Sequence, residues 1–422
     1  MTIVSIDARG RGAARRKESG PWRLTVRPQR RVLVMALAMT SVQRLLDIAA
    51  LLQSDLRIEL VFSIPPSVLR QGTARLLAAY GVPLMPWKQA SAETFDLAVS
   101  ADFAGILDVD APVVVFPHGT SRNSPTRPRG RGSIPVPGPV IGLNRSDLMH
   151  AGMPVPAVLA LGHERELELL EEEGTEALPI AAVVGDPCYD RITDSTALRG
   201  AYRAALGLKP GQKLVVATST WRENSLLGGA ADLVENLIDQ LPAPEYHVVL
   251  LTHPNLWAPH GAFQMHAWSD RLVRRGLVLA PPEADWQPIM MAADWIVGDH
   301  GSVTLYGAAV GVPVLLGAFP EADVHPRSAV AALGALAPRL TAAAPITQQL
   351  GHAAEQFNST AMARTAGLIT SEPGGFARNA RQLLYSMLGL GQPATPARLA
   401  PAPLPLSLRA LGQEAWPEVQ AA

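Results

Sequence analysis

A chain of 422 residues, 48% hydrophobic and 17% charged, is long enough for two or three globular domains and too apolar to be disordered. The net charge of -1 argues against a nucleic-acid partner, and Cys188, as the single cysteine, excludes an internal disulfide and a cysteine zinc pattern. No apolar run reaches the ~18 residues of a membrane span, and the N-terminus lacks the hydrophobic segment of a secretory signal, so we predict a cytoplasmic protein.

Both ends of the chain differ in composition from the rest. The first 31 residues carry nine Lys or Arg against two acidic residues, Asp7 and Glu18, without a helical apolar stripe. We predict a disordered basic tail over residues 1–30, and the alternative is weak attraction to a polyanion or to anionic lipid, the latter as peripheral contact at the inner face of the membrane. Residues 391–422 are rich in proline and lack periodicity, which predicts a second flexible tail.

Between the tails, short apolar runs alternate with segments of helical periodicity, and a Pro- and Arg-rich loop at 122–139 interrupts them. The pattern predicts an α/β fold with two Rossmann-like, doubly wound parallel sheets facing a cleft. The first domain should span residues 31–178 and the second residues 179–345, with helices at 346–390 packing back on the cleft. The second domain is expected to begin with the strand at 180–184. The predicted strands are residues 31–36, 59–63, 97–100, 113–116, 158–161, 180–184, 214–217, 248–251, 277–279, 295–297 and 314–316.

Residues 293–317 read as a strand, a tight turn, a helix and a second strand. The turn at Gly301-Ser302 leaves unpaired backbone N–H groups at the positive end of the helix dipole, which predicts a phosphate-binding site. The alternative is an ordinary turn in which Ser302 caps the helix. Asp299 either orients an imidazole or binds a hydroxyl, or it is a buried structural residue of the turn.

Histidines follow two of the predicted strands. His118 comes after the strand at 113–116, and His253 after the strand at 248–251. Ligands of doubly wound sheets bind beyond the carboxyl ends of the strands, so the two imidazoles would suit a base and an electrostatic stabiliser. The alternative is that each is a turn residue. Trp221 and Trp286 are expected in the core.

Five motifs stand in order along the chain. They are His118-Gly119-Thr120, the Gly-x-Pro-x-x-Asp segment at 185–190, Ser219-Thr220-Trp221-Arg222, His253-Pro254 and Asp299-His300-Gly301-Ser302. In sequence and order, they resemble the CDP-glycerol glycerophosphotransferases of teichoic-acid synthesis over residues 110–320. The resemblance implies a GT-B fold, with the nucleotide in the cleft between two Rossmann-like halves.

The chain departs from that family at two motifs. Ser121-Arg122-Asn123 follows the first motif in place of Pro-Leu-Lys, and His300-Gly301 replaces Tyr-Ser in the last. The Trp-Arg-Glu-Asn run at 221–224 and the Gly301 turn are also similar to the non-hydrolysing UDP-N-acetylglucosamine 2-epimerases. The two resemblances agree on fold and phosphate binding and imply different reactions.

The stronger resemblance implies a transferase that moves a glycerophosphate-like or glycosyl group from a CDP-polyol or UDP-sugar donor to an acceptor hydroxyl, without a metal or other cofactor. His118 would take the proton of the acceptor hydroxyl. The alternatives are a UDP-sugar 2-epimerase and a non-catalytic nucleotide-sugar-binding protein. The implied site residues are His118 and His253 for catalysis, Thr220, Arg222, Asp299, Gly301 and Ser302 for the donor and its phosphates, and Thr120 and Arg122 on the acceptor side.

Overall fold

The computed structural model describes residues 26–117, 142–172 and 176–414. The basic segment at 1–25 and three predicted site residues, His118, Thr120 and Arg122, lie outside the described residues. Among the helices of the described ranges, none combines the length and the apolar character that crossing a membrane requires.

The first half of the described chain is built on a parallel sheet whose strands are buried runs of Val, Leu and Ala. Its strands are β1 (Arg30–Met35), β2 (Ile58–Ser63), β3 (Leu97–Ser100), β4 (Val113–Val115), β5 (Met149–His150), β6 (Met153–Pro154), β7 (Val158–Leu161) and β8 (Ala181–Val183). Its helices are α1 (Met39–Ala50), α2 (Thr73–Ala79), α3 (Trp87–Ala90), α4 (Arg145–Leu148) and α5 (Arg165–Glu172). Within the described residues the sheet order is β2-β1-β3-β4-β7-β8, while β5 and β6 form a separate antiparallel pair.

The strand expected at 180–184 belongs to this first sheet, so its assignment to the second half was wrong. Strand β8 pairs in parallel with β7, and Leu159 lies opposite Ala181. A short apolar run reports that a strand is buried, but it carries no information on which sheet buries it. The chain crosses to the second half only in the next helix, where Cys188 and Ile192 join the core of that half.

The second half contains a second parallel sheet with the predicted alternation of strands and helices. Its strands are β9 (Lys213–Ser219), β10 (Tyr246–Thr252), β11 (Leu277–Leu279), β12 (Trp295–Gly298) and β13 (Val314–Leu316). The remaining helices are α6 (Pro187–Ser195), α7 (Arg199–Ala205), α8 (Leu226–Gly229), α9 (Asp232–Gln240), α10 (Pro254–Val273), α11 (Trp286–Ala292), α12 (Ser302–Ala309), α13 (Ala329–Leu336), α14 (Ile346–Glu355), α15 (Ser359–Ala366), α16 (Phe376–Leu388) and α17 (Leu408–Glu414). Within the described residues its order is β11-β10-β9-β12-β13.

Helix α16 returns to the first half of the molecule. Phe376, Leu384 and Leu388 on this helix are buried in the core that β1 and α1 also line. The Tyr385 hydroxyl donates a hydrogen bond of 2.8 Å to Asp55 Oδ2. The prediction that the helices at 346–390 pack back on the cleft is therefore wrong for α16, because its apolar side covers the first sheet.

The segment at 391–414 also departs from its predicted flexibility. Ala402 and Leu411 are 4% and 1% exposed, and they belong to the core of the second half. The Ala402 N–H donates to Ser195 Oγ at 3.0 Å, and Ala402 O accepts from the Tyr202 hydroxyl at 2.8 Å. Prolines favour an extended backbone without periodic pattern. A proline-rich segment therefore resembles a linker in sequence even where its apolar residues are buried.

Candidate functional site

One cleft of about 910 Å³ lies between the two halves. The order of strands reverses between β1 and β3 in the first sheet and between β9 and β12 in the second. At such a reversal the connections leave in opposite directions, which opens a crevice beyond the carboxyl ends of the strands. Residues that follow these four strands line the cleft. The switch points of both sheets therefore lie at this cleft.

The start of α12 faces this cleft without a side-chain cap. Gly301 is the N-cap residue, with φ -77° and ψ 155°, and as a glycine it has no side chain to accept a hydrogen bond from the first turn. Ser302 is the first helical residue, so the alternative in which its hydroxyl caps the helix is wrong. Gly301, Ser302 and Val303 all line the cleft, where the free N–H groups and the helix dipole favour an anion.

Asp299 is fully buried and holds this turn in place. Its Oδ2 accepts hydrogen bonds from Thr220 N at 2.8 Å, Thr220 Oγ1 at 2.9 Å and Leu226 N at 2.9 Å. Its Oδ1 accepts from Gly301 N at 2.9 Å. The carboxylate thus joins the loop after β9 to the turn after β12, which supports the structural reading of Asp299.

The close approach of these two loops requires glycine at position 301. A Cβ atom built on Gly301 would lie 2.6 Å from Thr220 Cγ2. Real Cβ contacts are not this short, so a larger residue would push the phosphate turn away from the loop after β9. Thr220 lines the cleft, but its hydroxyl already donates to Asp299.

Arg222 stands in the cleft on a strained backbone. Its φ of 90° lies in the left-handed region, which a residue with a Cβ adopts at a cost. The guanidinium carbon lies 4.5 Å from the centre of the Trp221 ring, and Trp221 stacks on His253 with centroids 6.2 Å apart. Trp221 is partly exposed in the cleft, so its expected place in the core is wrong. The ring and the guanidinium line the same cleft as the start of α12.

His253 is the N-cap of α10, and its Nδ1 accepts a hydrogen bond of 3.1 Å from Asn255 N. A neutral ring with Nδ1 as acceptor carries its proton on Nε2. His253 lines the cleft with that tautomer, which suits an electrostatic stabiliser better than a base.

His300 also lines the cleft, although the sequence assigned it no role. Burial lowers the pKa of its imidazole; Asp299 opposes this effect and Arg222 adds to it. Its Nδ1 is buried and has no hydrogen-bond partner among the described residues. The lowered pKa leaves a neutral imidazole at pH 7, and a perturbed group in a cleft is a candidate for function.

The wall formed by the first half contains polar residues that the sequence analysis missed. Asp102 follows β3, and its carboxylate accepts from Phe103 N at 2.7 Å and Ala104 N at 3.1 Å. Arg44 projects from α1 and is 7% exposed. Asp102 is the second residue after a predicted strand, so a search of the strand ends could have found it. A lone arginine on a helix offers no comparable signal. Pro117, which precedes His118 in the sequence, lines the same cleft.

In the described part of the chain, no group of three His, Cys, Asp or Glu side chains is arranged to hold a metal ion.

The molecule contains two parallel sheets with a cleft between them, and the uncapped N-terminus of α12 lies at the switch point of the second sheet. This arrangement defines a two-domain, GT-B-like α/β fold. No protein-family model matches the sequence, and no curated protein matches it.

Solved structures share this fold. The wall teichoic acid polymerase TagF is 14% identical, with 86% of this chain and 89% of that chain covered and a TM-score of 0.55. A Listeria monocytogenes protein assigned as a UDP-N-acetylglucosamine 2-epimerase is 13% identical over 85% of this chain and 95% of that one, with a TM-score of 0.53. The complex of S. aureus MnaA with UDP is 12% identical over 88% and 100%, with a TM-score of 0.50.

Proposed function

We propose that the protein is a GT-B-type transferase that moves a glycerophosphate-like or glycosyl group from a nucleotide-activated donor, a CDP-polyol or UDP-sugar, to an acceptor hydroxyl. The observation that carries this proposal is the uncapped start of α12 at the switch point of the second sheet, where it opens onto the cleft. A diphosphate is the ligand that such an N-terminus favours, and the facing half leaves room for the acceptor.

Three residues of the second half would contact the donor. The N–H groups at Ser302 would neutralise the phosphate that leaves with the nucleotide. Arg222 would contact the diphosphate in the ground state through its guanidinium, and His253 would donate from Nε2 to the same anion. His118 remains the predicted base for the acceptor hydroxyl, a role typically worth ~10² to 10⁴ in rate.

Replacement of Ser302 tests the donor site. We expect Ser302→Val to weaken binding of CDP or UDP at least tenfold, about 1.4 kcal/mol, since a branched side chain crowds the N–H groups. Isothermal titration calorimetry measures the affinity. Ser359→Val is the matched control, because Ser359 is the exposed first residue of α15. Equal nucleotide affinity of Ser302→Val and the native protein would place the phosphate elsewhere.

The products distinguish the reactions. Incubation with CDP-glycerol or a UDP-sugar, in the presence of glycerol and glycerol 3-phosphate as acceptors, releases CMP if glycerophosphate is transferred and UDP if a glycosyl group is transferred. An isomerised UDP-sugar without nucleotide release identifies a 2-epimerase.

The epimerase is the second candidate function. The Glu223 and Asn224 side chains of the run shared with epimerases line the cleft next to Arg222, and the fold is also that of the Listeria epimerase. Binding of the nucleotide without either product would leave the third reading, a non-catalytic nucleotide-sugar-binding protein.

A further inference from the structure

Arg44 is a buried cation in the wall of the cleft, and its Nη1 has no hydrogen-bond acceptor in the described part of the chain. It lies on α1, in the first half, with only 7% of its surface exposed, and it lines the cleft. Its Nη1 is buried and donates no hydrogen bond within the described residues. A buried charged donor without an acceptor is costly, so such a group needs an explanation.

The carboxylate nearest to Arg44 does not supply the missing acceptor. Asp186 Oδ1 lies 3.7 Å from Arg44 Nη1, beyond hydrogen-bond range, and already accepts from Tyr189 N at 2.7 Å. Asp186 Oδ2 accepts from the Tyr306 hydroxyl at 2.8 Å. Asp186 thus compensates part of the charge while both of its oxygens are engaged elsewhere.

A second carboxylate on α1, that of Asp47, also has another partner. Asp47, one turn further along α1, pairs with Arg191 at 3.0 Å. Burial is the largest single effect and lowers the pKa of Arg44, but the fields of Asp186, Tyr306, Cys188 and Asp47 together outweigh it, so the pKa is raised and the guanidinium stays charged. The charged guanidinium of Arg44 therefore lines the cleft with N–H donors, at a position where an apolar side chain would avoid the cost of burying a charge.

Helix α12 relates this cation to the phosphate turn. Tyr306, which bonds to Asp186 beside Arg44, is four residues after Ser302, a rise of about 6 Å along the helix axis. The start of α12 and Arg44 therefore line the same cleft from different halves of the molecule. Guanidinium groups bind phosphate oxygens through two parallel N–H donors.

We infer that Arg44 forms a second anion-binding subsite, on the wall of the first half, for a phosphate group that lies deeper in the cleft than the phosphate held by α12. The subsite rests on the proposed function only for the identity of its ligand. That phosphate is either the second phosphate of the nucleoside diphosphate or a phosphate of the acceptor, and both have the same chemistry.

Binding of inorganic phosphate tests the subsite directly. The melting temperature of the native protein should rise with phosphate, compared with chloride at equal ionic strength. Arg44→Gln should weaken the apparent phosphate affinity at least tenfold, whereas Arg70→Gln, the same change at an exposed arginine on the first half, should leave it unchanged. Arg44→Lys keeps the charge and loses the fork, so it should bind with intermediate affinity.

Nucleotide ligands and glycerol 3-phosphate identify the source of the phosphate. If Arg44→Gln abolishes the preference for UDP or CDP over UMP or CMP, the subsite holds the second phosphate of the donor. If it weakens glycerol 3-phosphate binding instead, the subsite holds the acceptor.

The inference is overturned if the native protein shows no phosphate-dependent stabilisation, or if Arg44→Gln and Arg44→Lys both keep native phosphate affinity. It is also overturned if Ser302→Val alone removes the entire phosphate effect. If Arg44→Gln does not fold, the comparison of Arg44→Lys with the native protein decides. Phosphate binding through Arg44 without any nucleotide binding would contradict the proposed transferase and leave the subsite intact.

Discussion

Asp299 and His300 are neighbours in one turn, yet the structure gives them opposite roles. Asp299 has both oxygens engaged by four donors and is fully buried. His300 lines the cleft, and its buried Nδ1 has no hydrogen-bond partner within the described ranges. A satisfied buried carboxylate rigidifies the backbone around it, whereas an unsatisfied buried nitrogen marks a group whose role lies outside the scaffold. At the scale of single residues, hydrogen-bond satisfaction separates the scaffold of the site from its chemistry.

The lowered pKa of His300 predicts a contribution to acid sensitivity. In the unfolded chain an imidazole titrates near 6.5, and in the folded protein burial moves this titration to lower pH. The unfolded chain therefore takes up the proton first as the pH falls, and stability present above about pH 6.5 is lost as the pH falls through the folded-state value. We expect the melting temperature of His300→Asn to fall less between pH 7.5 and 5.5 than that of the native protein.

Differential scanning calorimetry across that pH range measures this slope. His352→Asn, which removes an exposed histidine on α14, should keep the native slope. Parallel curves for His300→Asn and the native protein would show that the imidazole does not contribute to acid sensitivity.

Elements at the C-terminal end of the chain stabilise both cores. The strap at 391–407 leads to α17, where Leu408 and Leu411 are buried in the second half, and the Leu408 N–H donates to Leu206 O at 3.0 Å. Leu206 ends α7, and α17 also packs against β11, so the segment closes one side of the second core. It contributes through burial and not through local helix propensity, since a helix of seven residues is too short to be stable alone.

Truncation of Leu411 tests the contribution of α17. We expect Leu411→Ala to lower the free energy of unfolding by about 2–4 kcal/mol, because it leaves a cavity in the core. The same change at Leu404, which is 65% exposed on the strap, should cost less than about 0.5 kcal/mol. Chemical denaturation with matched variants measures both values. Similar costs at the two positions would mean that α17 is not part of the core.

At the scale of the whole molecule, the two halves do not correspond to two continuous segments of chain. The core of the first half contains Phe376, Ala380 and Leu384 of α16, which follow the entire second sheet in sequence. The chain thus enters the second core at α6, returns to the first core at α16 and joins the second core again at Ala402 and α17, so neither core is built from one continuous segment.

This dependence predicts the behaviour of an isolated first half. A fragment ending at residue 195 lacks α16 and exposes the sheet face that Phe376 covers, so it should show no cooperative thermal transition. The same fragment with residues 370–390 attached through a flexible Gly/Ser linker should recover one. Circular dichroism on heating compares the two. A cooperative transition in the shorter fragment would show that α16 is dispensable for the first core.

The sequence alone determined the local elements and the most informative turn. Buried apolar runs predicted strands such as β3, β7, β11 and β13, with bounds that the structure reproduces. The glycine and serine after β12 indicated an open helix start, because steric freedom and capping are local properties. The structure confirms the α/β fold class with a GT-B-like arrangement of two parallel sheets. The roles of His118, Thr120 and Arg122 stay predictions.

Only the tertiary structure decided which distant elements meet. The edge strand β8 joined the first sheet, α16 crossed to the first core, and the proline-rich strap packed on the second. The same holds for Arg44. Its place in the cleft depends on α1 packing beside Asp186, the N-cap residue of α6, and on the start of α12 lining the same cleft. Periodicity in a sequence reports that one face of an element is buried, but strand pairing, helix docking and charge compensation arise between residues far apart in the chain, where no local pattern specifies the partner.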